Sequence, residues 1–226
     1  MARVNMLNGM PDTHRRGRPP RIDRARIVAA ARDMDPATLT MQAVAERLGV
    51  DRKALNYHVT GRDNLLELVA RETLSASLES FTLPLDAPWP DMLRAFARQT
   101  RASMIKVGAH FDYVRFPLGA GLAALAPVEL LLRALLDAGF GEEQAGRVLG
   151  LLGELTYASA RDAILLSRHG LHPQIAELRN SLVQSPPGML PSLRHLSTTE
   201  FGMDDAQFDF DLDVIIAGLS ALRADR

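Results

Sequence analysis

Apolar residues recur along this chain at intervals of three and four, the spacing that gathers side chains on one face of an α-helix. The first stripe, Ile27, Val28, Ala30 and Ala31, follows Asp23, whose carboxylate can accept from the free N–H groups of a helix start. Pro36 closes it, because the residue before a proline avoids the α region. A shorter stripe of Val44, Ala45 and Leu48 follows Thr40 and stops at Gly49, where a left-handed cap is needed. Asp51 then caps a third helix, Arg52 to about His58. A fourth runs from about Arg62 to Ser80 with Leu65, Leu66, Leu68 and Val69 inward. Three prolines between Leu83 and Pro90 interrupt the pattern. Beyond them the helical period returns at about Asp91–Val107, near Phe111–Leu118, and at Val128–Ala138, Glu142–Arg168, Gln174–Leu182 and Ala206–Leu222.

No strand-like alternation persists and no fixed repeat is present, so the expected fold class is all-α. Pro, Gly and Arg crowd the first twenty residues without helical period. The expected organisation is a flexible basic tail at residues 1–21, a three-helix helix-turn-helix domain at 22–80, and a larger helical bundle at 81–226.

Composition narrows the function. Of the 226 residues 47% are hydrophobic and 23% charged, with mean hydropathy −0.02, enough to bury a core in water. There is no cysteine, hence no disulfide, thiolate metal site or cysteine nucleophile. Neither a signal-like apolar segment nor a run of about 18 apolar residues occurs, so a cytoplasmic chain without membrane contact is expected. His110 with Asp112, or Glu154 with Asp162, could be drawn as acid–base pairs. Without a phosphate loop, nucleophile elbow or HExxH, however, no enzyme, metal or cofactor is expected. The net charge of −1 conceals an asymmetry: Thr13–Arg62 holds eleven basic residues against five acidic ones, leaving +6 there and −7 elsewhere. A basic head on an acidic body fits a reader of nucleic acid with a second, separate task.

Two short helices joined by a turn at Gly49 form a helix-turn-helix pattern, whose second helix reads base edges while its other face packs inward. Leu55 and Val59, four apart, should face the core and leave Arg52, Lys53, Ala54, Asn56 and Tyr57 toward DNA. Arg or Lys suits guanine, Asn suits adenine and Ala a thymine methyl, while Thr40, Tyr57, His58 and Arg62 are placed for phosphates. Tyr57 and His58 can equally serve as packing residues. In the tail, RRGRPPR supplies Arg15, Arg16, Arg18 and Arg21, and its RGRP resembles an AT-hook core suited to a narrow minor groove.

The run LTMQAVAERLGVDRKALNYHVTGRDNLLELV resembles the helix-turn-helix of the TetR family of transcriptional regulators through Ala45, Leu48-Gly49-Val50, Leu55, His58-Val59 and Leu65-Leu66. FDFDLDVIIAGLSALRA, from Phe208, is similar to the last helix of the tetracycline-repressor-like branch. Asn56 stands where the family usually has a phosphate-contacting Tyr, and Arg62 replaces the usual Lys. The resemblance implies a repressor, homodimeric through a four-helix bundle of the long eighth and last helices, that binds palindromic double-stranded operator DNA. A small hydrophobic or aromatic effector would release it, with the fourth helix as lever. Polar groups scattered on otherwise apolar helices make Met104, His110, Phe111, Tyr113, Phe116, Glu154, Tyr157, Arg161 and Asp162 the candidate pocket, though the same residue types also fill ordinary cores. A constitutive DNA-binding regulator without effector, an activator, and an enzyme in the helical bundle are the alternatives.

Overall fold

The computed structural model describes residues 22–115, 122–199 and 202–224, and every regular element among them is helical. The head consists of α1 (Arg24–Ala31), α2 (Met41–Leu48), α3 (Arg52–Asn56) and the first half of α4 (Gly61–Glu79). Each of the first three starts on a side chain that satisfies an otherwise free N–H. Asp23 Oδ1 accepts from Arg26 N at 2.8 Å, Thr40 Oγ1 from Ala43 N at 3.1 Å, and Asp51 Oδ1 from Lys53 N at 2.7 Å. Gly49 takes the left-handed conformation (φ 65°, ψ 36°), and the next amide, Val50 N, donates to Ala45 O at 3.0 Å. That turns α3 back across α2, with Ile27, Leu39, Val44, Leu55, Leu65 and Leu66 fully buried between the four helices.

The larger bundle is built on α5 (Trp89–Val107), α6 (Leu122–Asp137), α7 (Glu142–His169) and α10 (Asp205–Ala224), with α8 (Pro173–Gln184) and α9 (Pro191–Leu196) leading from α7 toward α10. Leu93, Leu131, Leu135, Leu152 and Leu212 have no exposed surface and pack together, with Trp89 edge-on to Phe140 at 5.1 Å. A second cluster joins the end of α4 to α5 and α7 through Ala70, Leu74, Met104, Phe111, Ala160 and Ile164.

Five elements differ from their sequence expectations, the first being α1, which ends at Ala31 and gives way to a turn before Pro36. Helix α3 ends at Asn56, before His58, and the chain goes on in a turn in which His58 N and Val59 N both donate to Leu55 O at 3.0 Å, so that Val59 still joins Leu55 in the head core. The segment near Phe111 is a 3₁₀ turn over Gly108–Tyr113, since Gly108 at φ 60°, ψ −131° breaks the α geometry at the end of α5. Counting that 3₁₀ turn, the long helix α7 is the eighth helical element in chain order, as expected. Helix α6 starts at Leu122 and contains Pro127 at its sixth position, where the missing N–H removes one intrahelical bond; the helix runs on past it to bury Leu131 and Leu135. Helix α9, set between Pro186-Pro187 and the last helix, has no counterpart in the sequence expectation, because it buries no residue and lays down no core stripe.

A ladder of opposite charges fastens α10 to α5. Arg94, Arg98 and Arg101 on one helix meet Asp213, Asp209 and Asp205 on the other at 2.7, 2.9 and 2.8 Å, in the descending order that antiparallel neighbours require. The rungs are unequal. Arg98 and Asp209 are half in water, where such pairs contribute about 0–1 kcal/mol. Arg101 is buried, donates from Nε to Ser159 Oγ at 2.8 Å and lies 4.8 Å over the Phe208 ring, so it ties α5, α7 and α10 at one point. Chemical denaturation should therefore show Arg101→Ala destabilised by about 1.5–3 kcal/mol and Arg98→Ala by less than about 1 kcal/mol. Equal losses would mean that burial does not set the ranking.

Candidate functional site

The head presents one face free of packing. Arg52, Lys53, Asn56 and Tyr57 are exposed, Tyr57 at 90%, whereas Leu55 and Val59 of the same segment are buried. Ala54 and His58 are half-buried, and the His58 ring lies edge-on to Tyr57 at 5.7 Å. Thr40 is exposed, but its hydroxyl oxygen accepts from Ala43 N, one of the free amides in the first turn of α2. Arg15, Arg16, Arg18 and Arg21 lie outside the described residues.

Arg62 sits otherwise than its placement among the phosphate-facing residues anticipated. Its Nε donates to the Leu39 carbonyl at 2.9 Å and its Nη2 to that of Pro36, so the guanidinium spans the loop between α1 and α2 from the start of α4. Those carbonyls belong to no helix and would otherwise lack a partner. Its remaining nitrogen, Nη1, lies 3.8 Å from Asp63.

In the larger bundle the candidate pocket residues separate into three groups. Met104, His110 and Phe111 are buried, and half-buried Tyr113 packs against both the head cluster and the cluster of Met104 and Phe111. Tyr157 stacks at a tilt on Phe111, centroids 4.9 Å apart, and Arg161 one turn later lines a cleft of about 30 Å³ with Phe111, Asp112 and Arg168. Glu154 stands apart, exposed on α7, while Phe116 lies outside the described residues. Asp162 turns to His172, whose Nδ1 accepts from Gln174 N at 3.3 Å; the ring proton is thereby left on Nε2, which donates to the carboxylate at 3.2 Å and pins α8 to α7.

Sequence reasoning missed the polar contacts that cross this core. Ser77 on α4 donates to Ser103 on α5 at 3.0 Å, buried, beside the Arg101 tie. Their one-letter signal was a serine or arginine on an otherwise apolar stripe. Arg168 carried no such signal, because its place on the cleft depends on the 3₁₀ turn opposite it.

His110 is 1% exposed, and its Nε2 has no hydrogen-bond partner among the described residues. Burial, and then the Arg168 guanidinium, hold its imidazole below the ordinary value of 6.5, with Asp35 of the head pulling the other way. The ring thus belongs to the junction between the two parts. Arg115 reinforces that junction, 3.6 Å from Glu67 on α4 and donating to Asp112 O at 3.1 Å.

Two helices also leave apolar surface uncovered. Leu151 on α7 and Phe210, Val214 and Leu222 on α10 are exposed, Phe210 at 62%, and the α7 glycines 146, 150 and 153 face open space. Among the described residues no helix is long and apolar enough to cross a membrane, and no group of His, Asp and Glu is arranged to hold a metal.

Comparison with known proteins agrees with this geometry. The family model described as the tetracyclin repressor-like C-terminal domain matches residues 83–223. The tetracycline repressor protein class A from transposon 1721 of Escherichia coli is 30% identical over 189 residues, 82% of each chain. Among solved structures, a possible TetR family transcriptional regulator from Streptomyces coelicolor A3(2) superposes with TM-score 0.68 at 25% identity, covering 88% of this chain and all of that one. The S. coelicolor protein ActR in complex with actinorhodin superposes with TM-score 0.63 at 26% identity, over 88% and 96%.

Two outcomes follow from the site's own chemistry. Arg62→Ala should lower stability in urea by about 1.5–3 kcal/mol, with Arg62→Lys recovering only part, because the planar fork spans two carbonyls at once. A variant as stable as the parent but weaker on DNA would return Arg62 to the phosphates. For His110 the folded chain takes up the ring proton at lower pH than the unfolded chain, so its contribution is complete above 6.5 and stability is lost as pH falls below it. Between about pH 7.5 and pH 5.5 the melting temperature of His110→Gln should drop less than that of the parent; identical slopes would contradict a buried neutral ring.

Proposed function

Because the chain belongs to the TetR family of transcriptional regulators, we propose that it is a DNA-binding repressor released from its operator by a small hydrophobic or aromatic effector. The observation that carries this reading is the division of labour along α4: its first half completes a head with four exposed DNA-suited side chains, and its second half is built into the bundle core. The tetracycline repressor and actinorhodin-bound ActR supply the analogy for an effector. In this reading the protein is a cytoplasmic regulator with no catalytic step.

Residues 22–80 form the reading domain and 81–226 the effector-binding and dimerisation domain. Arg52 and Lys53 meet guanine edges, Asn56 an adenine edge, and Tyr57 and His58 the phosphates. Two copies join through α7 and α10, whose exposed Leu151, Phe210 and Val214 would be covered by the same residues of the partner, as a two-fold contact requires. The paired heads then meet successive major grooves of a palindrome, about 34–36 Å apart. Effector binding among Met104, Phe111, Tyr113 and Tyr157 favours a setting of α4 in which that spacing is wrong, and DNA affinity falls by the difference in effector affinity for the two settings.

Selection of genomic fragments by the purified protein tests the whole reading. A palindromic duplex should be recovered, with affinity falling steeply between two salt concentrations. Arg52→Ala should lose about 1–3 kcal/mol of discrimination at one base pair of each half-site. Salt-sensitive binding without sequence preference would defeat the proposal. In sedimentation, Phe210→Glu should convert a dimer to a folded monomer that no longer holds the operator; a native monomer in the parent would refute the α7–α10 pairing.

A further inference from the structure

The cleft between the 3₁₀ turn and α7 has the wrong chemistry for a purely apolar ligand. Its walls are apolar where they meet Phe111, Ile164 and Leu165, but Arg161 and Arg168 also line it. Seven residues apart, these arginines lie on one stripe of α7, separated by about 10 Å along the axis, so two long side chains can converge on a group held between them. Neither guanidinium has a hydrogen-bond or ion-pair partner among the described residues. The single acid on the lining, Asp112, is exposed and forms no ion pair there, which leaves the cleft one positive charge in excess. His110, beside Phe111 on the same turn though not on the lining, has a buried Nε2 without a hydrogen-bond partner among the described residues.

We propose that this cleft is a subsite for the acidic group of an organic acid with an apolar or aromatic body, held by Arg161 and Arg168. The proposal rests on the effector reading above and names the class of effector. Size supports it: about 30 Å³ holds roughly two water-sized groups, the demand of a carboxylate's two oxygens and far too little for a whole ligand. The body therefore extends past Phe111 toward Tyr157, whose ring already stacks on it. A carboxylate accepts from a guanidinium in a two-pronged contact that a neutral amide cannot reproduce, so charge is what the subsite selects.

The test uses the full chain and simple probes: benzoate, its neutral counterpart benzamide, and inorganic phosphate, titrated at constant ionic strength by calorimetry or ligand-observed NMR. Benzoate should bind with a dissociation constant of about 1 mM or tighter, and both benzamide and phosphate about tenfold more weakly. Arg161→Gln and Arg168→Gln, both at exposed positions, should each weaken benzoate about fivefold or more while melting like the parent. Equal binding of benzoate and benzamide, tighter binding of phosphate than benzoate, no benzoate binding, or indifference to both substitutions would each overturn the subsite. Operator titration separates this from the effector reading. Arginine-dependent binding of benzoate that leaves operator affinity unchanged keeps the subsite and removes its regulatory role. Release of the operator by a neutral compound, undiminished in Arg161→Gln and Arg168→Gln, keeps the regulator and removes the subsite.

Discussion

One helix belongs to two cores, and the rest of the molecule is arranged around that constraint. Helix α4 gives Leu65, Leu66, Leu68 and Val69 to the head and, within the next turn, Ala70 and Leu74 to the cluster containing Met104 and Phe111. Nineteen residues at about 1.5 Å each make a rod near 28 Å long. Close-packed side chains tolerate little independent sliding at either end. A displacement imposed at Leu74 must therefore reappear as a rotation of α3, unless the rod bends. No proline occurs within it, and its one glycine, Gly61, is its first residue.

This explains why the polar contacts fall where they do. Arg62 fixes the head-side end of α4 to the loop before α2, and Ser77 fixes the far end to Ser103 of α5. Arg101, two residues before Ser103, carries the constraint on to α7 and α10. The helices that would form the contact between two copies are thus tied through one buried guanidinium to the helix that aims the reading head.

The head was legible almost residue by residue, because a helix-turn-helix is specified locally. Asp23, Thr40, Asp51 and Gly49 each act within a few positions of themselves, and an i, i+4 pair decides which side of α3 faces inward. The bundle was legible only in its long helices. Its 3₁₀ turn depends on Gly108 at positive φ, and α9, which Pro191 starts, buries no residue and so leaves no apolar stripe to read. The cleft was half legible. Phe111, Tyr157 and Arg161 stood out as polar or aromatic breaks in an apolar period, but Arg168 looked like any basic residue in the last turn of a helix. Glu154 stood out for the same reason as Arg161 and lies seven residues before it on the same exposed stripe of α7, yet it does not line the cleft, because a sequence period does not show where along a helix a neighbouring turn will sit.

Magnitudes decide which contact at the junction can transmit a signal. Coupling between an effector site and DNA typically amounts to about 1–3 kcal/mol. The Glu67–Arg115 pair, at 3.6 Å with side chains 43% and 63% exposed, supplies about 0–1 kcal/mol and is weakened further by salt. It cannot carry the coupling alone. Tyr113 can, since its ring touches the head cluster on one side and the Phe111 cluster on the other, and repacking an aromatic ring costs kcal/mol and not tenths. Tyr113 also lies one residue beyond Asp112, on the same short turn as Phe111. On the proposed function, a ligand seated against Phe111 and Asp112 would act on the backbone that holds Tyr113, and the signal would need only that one turn to move.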